Sequence, residues 1–347
     1  MASDDKRKQR VTLVDVAREA GVSRATASLV IRNSPLAAVK TRERVEAAIA
    51  RLGYVRNLTA ARLRASQTRM VGLIVPNLTN PFFAELLSGV EEIIDDAGLI
   101  VILANSHDSA CRQSALMRRM REHGVDGIIL CPASDTARDF LDDQSGWQLS
   151  IVQVLRHITQ SVDYVGIDYA GGMNSAVDYL VSLGHERIAF AIHGGIHSAF
   201  EERSLAFDRA MSRNNLNAGL IVRVPETLAE IAQTAVPLLF AGLALPTATI
   251  CFNDIVAMGL SSGLYDHNIR VGHDHSIIGF DHVRNGEAMR PRLTSVSTYS
   301  DVVGRRAAQR LMARLENLDG EVEWDVIGTD LYVGDSCGPA LNSWLEN

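Results

Sequence analysis

Apolar side chains recur at helical spacing through the first fifty residues. Leu13, Val16, Ala17 and Ala20 lie three and four apart, Thr12 and Asp15 stand at capping-box spacing, and Gly21 ends the run. Val22 then points inward and Ser23 caps a second short helix, whose apolar positions are Ala27, Val30 and Ile31. Arg24, Ala25 and Ser28 are left facing outward, and Leu29 either joins them or borders the apolar stripe. After a polar turn around Asn33 and Pro35, Thr41 caps a third helix with Val45, Ala48, Ile49 and Leu52 on one side, and Gly53 stops it. Three short helices with a tight turn between the first two predict a helix-turn-helix bundle.

From Met70 the pattern becomes short apolar runs alternating with amphipathic stretches. VGLIV, LIVIL, GIIL, VDYVGID, RIAFAI, ATIC and SIIGF read as strands. Helices are expected from Pro81, around Arg112 to His123, up to Leu183, around Arg203 to Arg213 and from Asp254. Apolar strands separated by helices specify doubly wound parallel sheets. About 280 residues is too long for one such sheet, so two similar lobes are expected.

With 347 residues and 47% hydrophobic content, the chain can bury a sizeable core. No apolar run approaches the roughly 20 residues of a membrane span. The opening MASDDKRKQR carries charge where a secretory signal would be apolar, so a cytoplasmic protein without membrane contact is expected. Cys111, Cys131, Cys251 and Cys337 lack metal-ligand spacing and are expected to be buried free thiols. No metal or other cofactor is implied.

Charge separates the two regions. Residues 1–69 hold 15 Lys and Arg against 6 Asp and Glu, a balance of +9; the remainder holds 19 against 35, or −16. A basic head on an acidic body is the footprint of a polyanion-binding module, although a solvated charged face has the same composition.

The segment TLVDVAREAGVSRATASLVIRNSP resembles the DNA-binding segment of the LacI/GalR family of bacterial transcription regulators. The resemblance continues in order through TRERVEAAIARLGY, LIVPNLTNPFFAEL, GVDGIIL, LGHERIAF, FNDIVAMGL and IIGFDH, and so covers nearly the whole chain. It implies a helix-turn-helix domain over 1–57, a hinge helix and linker over 58–69, and a ligand-binding and dimerisation body over 70–347. The body would have the periplasmic-binding-protein fold, with lobe one at about 70–168 and 299–328 and lobe two at about 169–298 and 329–347.

Site residues follow from the same resemblance. Ser23 would open the recognition helix in the major groove, with Arg24 and Ala25 at base-reading positions. Arg24 can fork onto a guanine, and the Ala25 methyl can touch a thymine. Thr26 and Ser28, with Thr12 and Asn57, suit phosphate and small polar contacts. Leu29 and Arg32 stand where many members carry Arg and Asn, so atypical base choice is expected there. Leu63 matches the hinge leucine that wedges into the minor groove, and Arg62 and Arg64 would neutralise flanking phosphates. Val55-Arg56 replaces the usual Xaa-Pro before the hinge, which leaves the link less constrained.

In the body, Arg203, Asn253 and Asp281 match polar cleft positions and can grip sugar hydroxyls or a carboxylate. Ala206 replaces the glycine of the family's R-x-x-G-F, and caps or surface pairs are the alternative roles for the three polar residues. Phe82 and Phe83 open the first body helix, one to stack on ligand and one to pack.

The expectation is a homodimeric, effector-responsive repressor on a pseudo-palindromic double-stranded operator. It would sense a small metabolite, a sugar or sugar acid, between the lobes. The closing ALNSWLEN is about one heptad, too short for a tetramerising coiled coil, so the dimer is expected over the tetramer. A ligand-binding protein without DNA activity is the alternative, and the basic capped head opposes it. Enzyme chemistry has one nominal motif, G-x-S-x-G at Gly259 to Gly263, but a nucleophile elbow needs a strand-to-helix turn and this stretch falls within a helix.

Overall fold

The structure, a computed structural model, describes residues 11–32, 34–54, 68–142, 149–242 and 245–341. Two compact units divide the chain, Met1–Thr68 and Arg69–Asn347.

The head contains α1 (Leu13–Glu19), α2 (Arg24–Ile31) and α3 (Val39–Leu52). Thr12 and Asp15 form the reciprocal capping box: the Asp15 amide donates to Thr12 Oγ1, and the Thr12 amide donates to the Asp15 carboxylate at 3.0 Å. Ser23 Oγ accepts from the Thr26 amide, also at 3.0 Å, and starts α2. Val16, Ala17, Ala20, Ala27, Val30, Val45 and Ala48 make the core. Arg44 reaches back to the Ala20 and Gly21 carbonyls, which α1 leaves unpaired at its end. Two details differ from the sequence pattern. The extended backbone of Ala38 starts α3 at Val39, so Thr41 lies inside the first turn and does not cap it. Ile31 and Leu29 are half-buried and outside the core cluster, because α2 outruns so small a bundle.

The body opens with β1 (Met70–Val75), α4 (Phe82–Asp96), β2 (Ile100–Asn105), α5 (Ala110–Glu122), β3 (Gly127–Leu130), β4 (Ser150–Val154) and β5 (Asp163–Ile167). It continues through α6 (Tyr169–Ser182), β6 (Ile188–Ile192), α7 (Ser198–Arg213), β7 (Leu220–Arg223), α8 (Leu228–Leu239), β8 (Ala248–Cys251) and α9 (Asp254–Asp266). The last elements are β9 (Ser276–Asp281), α10 (Arg284–Glu287), β10 (Thr294–Ser297), α11 (Ser300–Glu316), β11 (Trp324–Ile327) and β12 (Asp330–Tyr332).

These strands build two sheets, ordered β11-β5-β4-β3-β1-β2 and β12-β10-β9-β8-β6-β7. Pairing is parallel throughout except that β12 runs antiparallel to β10. The chain crosses between lobes after β5, after β10 and between β11 and β12. Strand β1 shows why the sheets are parallel and covered: all six residues of MVGLIV are buried. Val71, Leu73 and Val75 alternate into the main core, while Met70 and Ile74 face Met117 and Met120 of α5.

Strands β4, β7, β10, β11 and β12 were not evident in the apolar pattern. β10 reads TSVS, buried yet polar, and β11 and β12 are short edge strands with alternating exposure. Gly259 to Gly263 lies within α9, away from any strand-to-helix turn. Cys131 and Cys251 are buried as expected, but Cys111 is exposed on α5 and Cys337 is half-buried in the C-terminal segment that borders β9.

Helices α4 and α11 pack closely enough to require glycine on both sides. A Cβ on Gly89 would fall 2.0 Å from the Asp301 carbonyl oxygen, and one on Gly304 would fall 2.1 Å from that of Leu86. Gly304→Ala should therefore push the helices apart and cost about 1–3 kcal/mol in urea unfolding. An unchanged midpoint would show that the helices can separate freely.

Candidate effector cleft and nucleic-acid surface

Strand order reverses between β1 and β3 in the first lobe and between β6 and β8 in the second. Open α/β sheets bind ligands at such reversals, beyond the carboxyl ends of the strands. The segments leaving these strands carry Asn80, Ser134, His193, His197, Phe252 and Asn253. Non-glycine residues with positive φ gather at neighbouring strand ends: His107 and Asp108 after β2, Leu155 after β4, Asp281 and His282 at β9, and Tyr299 after β10. Strain of this kind is held only where surrounding contacts enforce it, commonly at ligand sites.

Arg203 sits in the second turn of α7 with 4% of its surface exposed. Its Cζ lies 4.0 Å from the Tyr169 ring centroid and 4.2 Å from that of Phe252. Among the described residues its nearest carboxylate contact is Asp281 at 4.0 Å, beyond hydrogen-bond reach, and Nε is buried without a partner. Asn80 donates to the other Asp281 oxygen at 3.5 Å. Burial pushes the Asp281 carboxyl up to about 7, against the pull of Arg203 and Asn80 and with Glu85 adding repulsion.

The structure thus brings Arg203 and Asp281 together. Asn253 is divided between two tasks: Oδ1 accepts from the Val256 amide and caps α9, while Nδ2 lies 2.9 Å from His193 Nε2. Phe82 and Phe83 are both buried in the main core, edge to face with centroids 5.4 Å apart.

A second polar group was not singled out in the sequence. Arg156 pairs with Asp108 at 2.5 Å, and Ser134 Oγ donates to the same carboxylate at 2.6 Å. Although burial opposes its charge, Arg156 and Ser134 hold the Asp108 carboxyl below its usual range. Leu155 aims Arg156: its carbonyl accepts from the Tyr164 and Tyr169 hydroxyls at 3.3 and 3.4 Å, which fixes the backbone at φ 64. Burial, then Arg156 and Arg203, push His193 down to about 4 and His197 to about 2, so both are neutral. Each of these residues follows a strand end, and that position is the signal by which they could have been found.

Arg156, Ser134, His157 and Gln160 from the first lobe and His197 and Ser198 from the second line a cavity of about 400 Å³. That volume suits a small metabolite. None of Phe82, Phe83, Arg203, Asn253 and Asp281 lines it. Phe252 joins the two regions, with its ring 6.0 Å from that of His197 and 4.2 Å from Arg203 Cζ.

On the head, Arg24 and Ala25 are exposed at the start of α2. Thr26 is half-buried with its hydroxyl 2.8 Å from Ser23 Oγ, and Arg32 donates to Ser28 Oγ at 2.8 Å. The Thr12 hydroxyl donates to Asp15 at 2.6 Å. Asn57, Leu63 and Arg64, with the hinge helix, lie outside the described residues.

Residues 12–57 match the profile described as bacterial regulatory proteins, lacI family, and residues 177–337 match a periplasmic binding protein-like domain. The HTH-type transcriptional repressor PurR of Vibrio cholerae is 33% identical over 315 residues, spanning 89% of this chain and 93% of the relative. The chain belongs to the LacI family of bacterial regulatory proteins.

LacI-family membership makes it a DNA-binding transcriptional repressor with an effector-binding domain, and not an enzyme. Among solved structures, a complex of the transcriptional regulator CelR with cellobiose matches with a TM-score of 0.70 at 27% identity, covering 94% of this chain and all of that one. The Lac repressor dimer bound to operator and the anti-inducer ONPF matches with a TM-score of 0.83 at 21% identity, covering 95% of this chain, and shares the fold. No described helix is long and apolar enough to cross a membrane, and no described cluster could hold a metal ion.

Asp281 makes stability depend on pH with a definite sign. Its carboxyl titrates at about 7 in the folded protein against 3.8 when free, so between those values the folded state binds the extra proton. Stability should fall as pH rises from about 4 to about 7. Asp281→Asn removes that slope, and urea unfolding across this range should show the variant gaining on the wild type as pH increases. Parallel profiles would place the Asp281 pKa near its free value.

Proposed function

We propose that this LacI-family repressor binds a pseudo-palindromic operator as a homodimer and responds to a small metabolite, a sugar or sugar acid, held between its lobes. The observation that carries the effector site is Arg203, a buried guanidinium whose nearest carboxylate among the described residues stands 4.0 Å away and which packs on Phe252, the ring that also meets His193 and His197. A ligand that satisfies its donors would bind one lobe arrangement better than another and so shift their populations. In a dimer, that shift would alter how the two heads meet the half-sites.

Several features support the remaining parts. Arg24 and Ala25 stand free at the N-terminal end of α2, where a recognition helix presents side chains to the major groove. Edge strand β2 exposes Ile100 and Leu103, and edge strand β7 exposes Leu220 and Ile221, apolar rows that suit burial against a second copy. The solved relative holding cellobiose in the same fold favours a polyhydroxylated effector.

Selection from random DNA tests the regulator directly. An operator with two-fold related half-sites should emerge, and affinity for it should fall steeply with salt because the head carries +9 over residues 1–69. A flat salt slope would contradict charge-led binding. Arg24→Ala should cost about 1–3 kcal/mol and relax preference at one position of each half-site; an unchanged consensus would remove Arg24 from base reading. Light scattering at micromolar concentration should give twice the chain mass, and a stable monomer or tetramer would refute the dimer.

A further inference from the structure

Arg24, Ser28 and Arg32 stand four residues apart along α2 and its C-cap, so they form one row on the outer face of the helix. Arg24 and Arg32 are exposed, and Ser28 is half-buried between them. Arg32 folds back along the row: Nη2 donates to Ser28 Oγ at 2.8 Å and Nε to the Ser28 carbonyl at 3.4 Å. Neither bond uses Nη1, so the end of the guanidinium fork still has donors for a pair of acceptors.

The other arginines of the described head are committed elsewhere. Arg18 pairs with Asp15, Arg51 with Glu19, Arg42 donates to the Ser34 carbonyl and Arg44 to those of Ala20 and Gly21. Arg24 and Arg32 are the two whose guanidinium groups are not tied to another element of the head.

We infer that Arg32 is a second base-reading residue, and that each operator half-site carries two guanines, one met by Arg24 and one by Arg32. The inference rests on α2 being the recognition helix. A guanidinium extended from the last residue of a helix would reach the backbone beside the groove; the bond to Ser28 returns this one to mid-helix, over the bases that α2 covers. There its fork matches the O6 and N7 acceptors of guanine. A side chain already held in place also loses less freedom on binding.

Helix rise sets the spacing. At 1.5 Å per residue, Ser28 lies about 6 Å and Arg32 about 12 Å beyond Arg24 along the axis. Base pairs follow one another at about 3.4 Å, so the two guanines should stand about two to four base pairs apart.

The test uses the full chain and double-stranded DNA selected from a random library. The wild-type consensus should hold two guanines per half-site at that spacing, and exchanging either G·C for A·T in a defined duplex should weaken binding by about tenfold or more. Arg24→Ala should erase the preference at one of these positions and Arg32→Ala at the other. Arg32→Gln should replace guanine by adenine at its position, because an amide matches adenine. Ser28→Ala should reduce the ratio of guanine to adenine binding at the Arg32 position and leave that at the Arg24 position unchanged. These readouts are ratios between duplexes, so a uniform loss from a damaged head would not imitate them, and the exchanged duplexes test the wild-type chain directly. A half-site with one guanine or none would overturn the inference. An unchanged consensus in Arg32→Ala, with every duplex weakened alike, would assign Arg32 to the DNA backbone instead. Failure of the wild type to select any operator would overturn the regulator reading itself, and this inference with it.

Discussion

The guanidinium of Arg203 is held between the rings of Tyr169 and Phe252, with the Asp281 carboxylate just out of hydrogen-bond range. Removing such an ion from water costs several kcal/mol, and each ring face returns about 0.5–2 kcal/mol. Much of the nearby structure serves to maintain this arrangement. Asp254, fully buried at the start of α9, accepts from Ser295 Oγ at 2.6 Å and from the Val283 amide at 2.8 Å, which fixes the turn carrying Asp281. Gly279 makes room for it, since a Cβ there would fall 2.1 Å from the Asp254 carboxylate.

The same constraint explains how the lobes are joined. Glu85 on α4 accepts from Ser300 Oγ at 2.7 Å and from the Arg284 amide at 3.3 Å, linking the first lobe to a crossover and to the second lobe. Across the cleft, the His157 amide donates to Ser198 Oγ at 2.9 Å and its ring meets Glu202 at 3.0 Å. Helices α4 and α11, by contrast, meet at Gly89 and Gly304, where an added Cβ would strike the facing backbone.

The head obeys a different economy. Its core is a few small apolar residues, so caps and short polar bonds do much of the work of defining it. The capping box at Thr12 and the Ser23 cap fix where α1 and α2 begin, and the exposed Arg24 follows directly from that start. Its basic charge, +9 over residues 1–69, suits attraction to a polyanion.

Local signals in the sequence determined much of this protein. Helical spacing and caps defined α1 and α2, continuous apolar runs defined the buried parallel strands, and collinear motifs marked the family together with Arg203 and Asp281. Thr41 misled because the backbone of Ala38 sets the start of α3, while strands such as TSVS and LIVR lacked a pattern because neighbours, and not composition, decide their pairing. Only the tertiary structure joined Arg156 to Asp108, 48 positions apart, and turned Asn253 to both a helix cap and His193. It also decided that Arg203 is buried with Asp281 4.0 Å away, and that burial and the nearby arginines lower the pKa of His193 and His197. Periodicity reports which face of one element is apolar; desolvation and pairing depend on what other elements bring to the same few ångströms, and that is settled only when both sheets are assembled.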